Sequence, residues 1–374
     1  MFRKLKGQSG ALQVLQTALE HDRIAQAYLF HGGDGVGKFT AALYFGMALN
    51  CLAKSEFRPC GVCNNCRRFS AFDHPDLIYL FPTPNWPFSA DGEFKKEEDY
   101  AQYRAYIKNK IASPWQEFWF SASCEIRVDS VRQLIRRLEL SAFEASYRIC
   151  IIENADAMNT ATANALLKTL EEPPPATVLI LTTERLASLL PTIVSRCQPV
   201  YFQPVPPRIV EELLSAEFNA TTEQARTASR IADGNVKRAI HLVQSESSGI
   251  RDRAYEILQQ AALGHDWQFW QNLQSPQARP TAETTMELIK YLNLFVSDLN
   301  LVFNAPEQLV NIDKKDWLQE ARDNLVRCDA AQLADRVWQY LLQTEDLARK
   351  VNGNVNLQLV HINLYFALCK VFRG

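Results

Sequence analysis

The residues best placed to do chemistry are the run Gly32-Gly33-Asp34-Gly35-Val36-Gly37-Lys38-Phe39-Thr40. Its GxxxxGK skeleton builds a phosphate-binding loop: the glycines let backbone N–H groups close around phosphates, and the lysine reaches the β and γ oxygens. In the intact motif the next residue is Ser or Thr, whose hydroxyl ligates Mg²⁺. Phe39 stands there instead. A phenyl ring offers no oxygen to a hard cation, and Thr40 points about 100° further round a helix. The candidate nucleotide contacts are therefore Gly32, Gly35, Gly37, Lys38 and Thr40, in a loop with a spoiled metal position.

A second carboxylate position is altered as well. The apolar run Arg148–Ile152 leads into Glu153 and Asn154. In a working P-loop ATPase this strand ends in an Asp that holds Mg²⁺, followed by a residue that activates the attacking water. Glu153 keeps a carboxylate, but the Asn154 amide cannot accept a proton from water. Two defects at two strand ends predict ATP hydrolysis that is very slow or absent. Whether ATP binds without Mg²⁺, held by Lys38 and the glycines, stays open.

Four of the nine cysteines fall as Cys51, Cys60, Cys63 and Cys66, a C-x8-C-x2-C-x2-C spacing in a polar segment. Four thiolates satisfy tetrahedral Zn²⁺ with no open position, which predicts a structural site. Cys124, Cys150, Cys197, Cys328 and Cys369 read as scattered buried free thiols. With no leader-like start and no run of 18 apolar residues, reducing cytoplasm is the expected compartment and no membrane the expected partner.

These residues need elements to hold them. Strands are expected at 27–30, 77–80, 148–152, 177–183 and 199–202, alternating with helices around a parallel sheet. Between 81 and 125 lies an insertion with a helix near 96–111 and the aromatics Trp86, Trp115, Phe118, Trp119 and Phe120, which either face a partner or pack back onto the domain. Beyond about 250 the apolar spacing is helical throughout, with Trp267, Trp270, Trp317 and Trp338 expected in its core. A formal net charge of −2 over 374 residues argues against strong autonomous DNA binding. Arg132, Arg136 and Arg137 form a basic helix face that is either solvated or set against phosphates in an assembly.

The run Ala163-Asn164-Ala165-Leu166-Leu167-Lys168-Thr169-Leu170-Glu171-Glu172-Pro173-Pro174, the strand after it and Ser195-Arg196-Cys197 resemble the clamp-loader branch of the AAA+ proteins, over approximately residues 8–75 and 125–243. The resemblance implies an α/β AAA+ P-loop domain over 1–205 with a zinc module at about 51–66, a small helical lid over 206–245 and an all-α collar domain over 246–374 that oligomerises. It implies that Arg196 is an arginine finger for a neighbour's γ-phosphate, and that Lys237, in Gly234-Asn235-Val236-Lys237-Arg238-Ala239, stands where a sensor arginine would be. A lysine there offers a point charge without the bidentate fork. An intact finger beside spoiled metal and base positions describes a subunit that completes its neighbour's site without running its own, which the resemblance makes a non-motor subunit of the DNA polymerase III clamp loader in DNA replication. Its partners would be gamma/tau-like ATPase and delta subunits, and, through the complex, the sliding clamp and primer-template DNA. The alternative is an ATP-hydrolysing gamma/tau-like subunit, which would keep Thr or Ser after Lys38, Asp-Glu at 153 and 154, and a long extension for which this length leaves little room. Two other readings are a self-sufficient ATPase using Thr40 and Glu153, and a zinc-dependent DNA-binding module.

Overall fold

The computed structural model describes residues 5–53, 58–88, 94–115, 120, 123–139, 144–244, 249–274, 280–325, 330–351 and 355–373. Phe118, Trp119 and Cys328 lie outside them. The chain divides into two compact units, Met1–Val210 with Ala232–Ile240, and Glu211–Ile231 with His241–Gly374. The 206–245 segment thus contributes to both.

The first unit is built on five strands, β1 Ala27–Gly32, β2 Leu77–Leu80, β3 Arg148–Ile152, β4 Thr177–Thr183 and β5 Gln198–Phe202. They pair in the order β2-β3-β4-β1-β5, every neighbour parallel. Parallel strands covered on both faces read as continuous apolar runs; β3 and β4 are buried at every residue, whereas the edge strand β5 alternates. Successive side chains point to opposite faces. Tyr28 and Phe30 therefore join a core with Phe45, Ile149, Ile151 and Phe202, while Leu29 joins another with Cys150, Ile152, Leu166 and Leu181.

The helices of this unit are α1 Ser9–Glu20, α2 Lys38–Leu49, α3 Asn64–Ser70, α4 Glu97–Ala112, α5 Val128–Glu139, α6 Thr160–Glu171 and α7 Pro191–Val194. α5 buries Val131, Leu134 and Leu138 and turns Arg132, Arg136 and Arg137 to solvent, so the basic cluster is the outer face of an amphipathic helix. The insertion packs back onto its own domain, where Tyr106 meets Tyr79 of β2 at 3.1 Å and Lys110 meets Glu153 after β3 at 2.7 Å. Trp86 is buried, Phe81 stacks on Tyr106 with ring centroids 4.1 Å apart, and Trp86 meets Phe120 edge-on at 5.3 Å.

Three further helices follow, α8 Pro207–Glu217, α9 Thr222–Ala232 and α10 Val236–Gln244, and then α11 Gly249–Leu263, α12 Asp266–Gln274, α13 Ala282–Asn304, α14 Lys315–Asn324, α15 Ala330–Val351 and α16 Leu357–Arg373. Among the described residues, the regular elements of the second unit are all helices. Its core gathers Leu292, Phe295, Leu299, Leu318, Val337 and Leu368. Trp317 and Trp270 pack against that core half-buried, but Trp267 and Trp338 are 72% and 59% exposed, against expectation. The reason is angular. α15 buries Leu333, Val337, Tyr340, Leu347 and Val351, and Trp338 follows Val337 by 100°. Cys150 and Cys197 are buried as expected, whereas Cys124 and Cys369 are only partly so.

His361 of α16 is buried, its Nε2 3.0 Å from Thr285 Oγ1. Burial, with the Arg253 charge adding to it, pulls its pKa down to about 4. The unfolded chain then takes up a proton near pH 6.5 that the folded chain refuses until about pH 4. Stability contributed here is complete above pH 6.5 and is lost as pH falls toward 4, by up to about 3 kcal/mol. Urea midpoints of the wild type and His361→Gln across that window should show the slope in the first and its absence in the second.

Candidate functional site

The expected phosphate loop lies between β1 and α2 at the C-terminal end of the sheet. Gly32, Gly35 and Gly37 adopt φ of +146°, +66° and +94°, backbone that side chains with a Cβ rarely tolerate. Lys38 is 7% exposed, and its ammonium donates to the carbonyls of Gly32, at 2.9 Å, and Gly33. Burial lowers its pKa, opposed by the carboxylates of Glu184 and Asp34. Thr40 is half-buried one step along α2, and Phe39 is buried in the core.

The start of α10 closes over this loop. Val236 N–H donates to the Gly35 carbonyl at 3.1 Å, Asn235 Nδ2 to Asp34 at 3.2 Å and Lys237 Nζ to Asp34 at 2.8 Å. Burial pushes the Asp34 carboxyl up, but Lys237 and Asn235 outweigh it and the net shift is downward. Lys237 thus spends its charge on a loop aspartate. Nearby Glu184 has its carboxyl raised by burial and by the Asp34 charge. A Cβ at Gly35 would fall 1.9 Å from Asn235 Oδ1. Gly35→Ala should therefore cost about 1–3 kcal/mol, read as a Tm lower by roughly 5 °C.

At the end of β3, Glu153 is buried and both its oxygens are engaged. Lys110 Nζ of α4 lies 2.7 Å from Oε1, while Tyr79 donates to Oε2 and Tyr106 approaches it at 3.4 Å. Burial raises the Glu153 carboxyl, the Lys110 and Tyr79 contacts more than offset this, and the net shift is downward. The same ammonium sits 4.1 Å from the centroid of the Phe39 ring. Asn154 adopts a left-handed φ of +52°, and its N–H donates to Thr182 Oγ1 at 3.1 Å. Mg²⁺ demands near-octahedral oxygen ligands at about 2.0–2.1 Å. The residues at these two strand ends do not fit that ion. Lys110 and Tyr106 were not singled out in the sequence, yet Tyr103, Tyr106, Ile107 and Lys110 form an i, i+3, i+4, i+7 stripe that marks an inward helix face.

Cys51 follows α2, Cys60 and Cys63 lie in the loop before α3, and Cys66 is on α3. Their sulfurs all fall within 4.8 Å of one another, with Cys60 and Cys66 4.0 Å apart. A tetrahedral site with Zn–S bonds near 2.3 Å needs sulfurs roughly 3.8 Å apart, so this set fits a four-thiolate metal site. Backbone N–H groups of Cys63 and Val62 pull the Cys60 thiol down to about 6, while burial pushes Cys66 up. Asn50 ties the module to the sheet through two 2.9 Å bonds with Tyr147 and accepts from Asn65 at 3.0 Å.

Arg196 lies elsewhere. It precedes β5, beside the C-terminal end of α6, and borders an open groove of about 730 Å³ with Gln26, Glu171 and Ser195. Its side chain is a third exposed and pairs with Glu171, and Nη1 donates to the Thr192 carbonyl at 2.9 Å. β1 and β5 run parallel, with Tyr28 opposite Gln198 and Gly32 opposite Phe202. Arg196 is thus at the N-terminal edge of the sheet and the loop at the C-terminal edge, roughly 20 Å away at about 3.3 Å per strand residue.

A parallel β5-β1-β4-β3-β2 sheet, a phosphate loop after β1, a carboxylate at the end of β3 and a short helix on the loop define an AAA+-type P-loop domain with altered metal and base positions. Residues 7–206 match the family model described as DNA polymerase III, delta subunit, and the chain belongs to that family. It is 27% identical over 355 residues to the DNA polymerase III subunit delta' of Bacillus subtilis, spanning 94% of this chain and 93% of that one. It is 26% identical over 332 residues to the subunit gamma/tau of Mycobacterium bovis, spanning 89% of this chain but 44% of the relative. Among solved structures it aligns with a gamma subunit-related protein of Thermotoga maritima at a TM-score of 0.46 and 17% identity, covering 97% and 100% of the two chains. Among the described residues no helix is long and apolar enough to cross a membrane.

Proposed function

We propose that this chain is a non-motor, delta-prime-type subunit of a bacterial DNA polymerase III clamp loader, which completes a neighbouring subunit's ATP site with Arg196 and does not run its own. One observation carries the reading: Arg196 stands at the opposite end of the sheet from the chain's own P-loop, where it cannot reach a phosphate held there but is open to another subunit. The guanidinium neutralises charge that develops during phosphoryl transfer. Its ion pair with Glu171 is of the exposed kind, worth at most about 1 kcal/mol, and is readily surrendered.

In this reading Zn²⁺ on Cys51, Cys60, Cys63 and Cys66 is structural, and the helical second unit serves side-by-side assembly with gamma/tau-like and delta subunits. Clamp and primer-template DNA are met through the assembled complex in the cytoplasm. The gamma/tau-like alternative is disfavoured by Phe39, Asn154 and the engagement of Glu153 by Lys110. The experiment is ATP turnover by a reconstituted loader containing the wild-type chain or Arg196→Ala. Unchanged turnover would make Arg196 structural and overturn the reading.

A further inference from the structure

The insertion between β2 and α5 reaches into the nucleotide site. Lys110, on its helix, points to the place where a divalent ion would be held between the residue after the loop lysine and the end of β3. We infer that the Lys110 ammonium is a built-in replacement for that ion, so that the insertion closes this P-loop domain to Mg²⁺ and to Mg²⁺-nucleotide and fixes its conformation without either. The inference deepens the non-hydrolysing reading and rests on it only for its consequence, a subunit whose shape does not follow the ATP cycle.

The chemistry of the surroundings suits an ammonium and not a divalent metal. Phe39 gives the cation a π face at 4.1 Å and no oxygen. Such a face attracts an ammonium, the more so when water is excluded. Glu153 gives its Oε1 to Lys110 at 2.7 Å, and its Oε2 is occupied by the hydroxyls of Tyr79 and Tyr106. A metal would have to displace all three. The pair is no surface contact: the side chains of Lys110 and Glu153 are 9% and 11% exposed. A lysine is almost never buried without a charged partner, and removing either member leaves a charge stranded in low dielectric.

The helix that carries Lys110 is held in place by packing. Tyr106 stacks on Phe81 at 4.1 Å and on Phe120 at 5.5 Å, and Tyr103 lies 6.0 Å from Phe81 and 6.4 Å from Trp86. Withdrawing the lysine would break that aromatic cluster. On the other side of the loop, Lys237 and Asn235 bind Asp34, and Val236 binds the Gly35 carbonyl, so phosphate access is limited there also. A ligand-gated element becomes a permanently neutralised one.

Two measurements on the full chain test this without reference to turnover. The first is Mn²⁺ titration of the wild type by electron paramagnetic resonance, with and without a fluorescent ATP analogue. The expected result is no site filled below millimolar Mn²⁺ and no Mn²⁺-dependent gain in nucleotide binding. Micromolar Mn²⁺ binding that Glu153→Gln abolishes would overturn the inference. The second is a double-mutant cycle on thermal stability with Lys110→Met and Glu153→Gln. Each single variant should lose about 10 °C in Tm, and the double variant should regain most of the loss because no charge is left stranded. Additive losses would mean that the two groups are uncoupled and that Lys110 does not stand in for the ion. Failure here with Arg196→Ala still abolishing hydrolysis next door would leave the proposed function intact; the reverse pattern would leave the plugged site intact.

Discussion

Replacing Arg196 by alanine should cut ATP hydrolysis at the adjoining site of a reconstituted clamp loader by roughly 10³–10⁵-fold, the range expected of an arginine finger supplied in trans. Assembly should be unaffected, because the side chain is a third exposed and its partner Glu171 lies nearly half exposed. Single-turnover hydrolysis stimulated by clamp and primer-template DNA isolates the affected step from turnover at other sites. Two controls separate a finger from a surface ion pair. Arg196→Lys keeps the charge but loses the planar fork, and should recover little of the rate. Glu171→Ala breaks the same pair from the other side and should leave the rate near wild type. Equal effects of Arg196→Ala and Glu171→Ala would show that the pair matters as a brace.

Removing the metal from the cysteine module should have the next largest effect. A four-thiolate zinc site contributes on the order of 10–16 kcal/mol of apparent binding free energy at neutral pH. Among its described residues the segment from Cys51 to Cys66 turns few apolar side chains inward: Leu52 and Val62 are 63% and 74% exposed, while Cys66 is buried and Arg58 and Asn65 tie the segment to the Leu19 and Asn50 carbonyls. The purified chain should therefore carry one zinc, and chelation should expose four thiols to a thiol reagent and lower the Tm. Cys63→Ser should do the same without a chelator. The core between the sheet and α5 and α6 contains none of the four cysteines, so far-ultraviolet dichroism should change little. A chain purified without zinc, or four thiols equally reactive before and after chelation, would reduce the cluster to four neighbouring cysteines.

Much of the molecule was legible because its signals are local. Parallel strands buried on both faces have to be apolar, so 148–152 and 177–183 stand out as strands from composition alone, and all five expected strands are present within a residue or two. A phosphate loop needs glycines at positive φ, and Gly35 and Gly37 adopt it. Two C-x2-C spacings have to bring sulfurs together, and the four sulfurs converge. Phe39 and Asn154 are missing functional groups, which a sequence displays as plainly as present ones.

What the sequence could not give is which distant residues fill the places those substitutions leave. Lys110 and Glu153 are 43 residues apart, Asp34 and Lys237 are 203 apart, and periodicity carries no information about separations of that kind. The Tyr103-Tyr106-Lys110 stripe shows that α4 has an inward face, not what it faces. The same limit placed Trp267 and Trp338 in a core they do not enter, because helical spacing tells which residues share a face and only packing tells which face is covered. By itself the sequence determined a parallel P-loop sheet with spoiled metal and base positions and a four-cysteine module, since each follows from residue type at short range. Only the tertiary structure decided that a lysine from the insertion pairs with Glu153 over the Phe39 ring and that Arg196 stands at the far edge of the sheet, because both depend on long-range contacts through which the core fixes strand order.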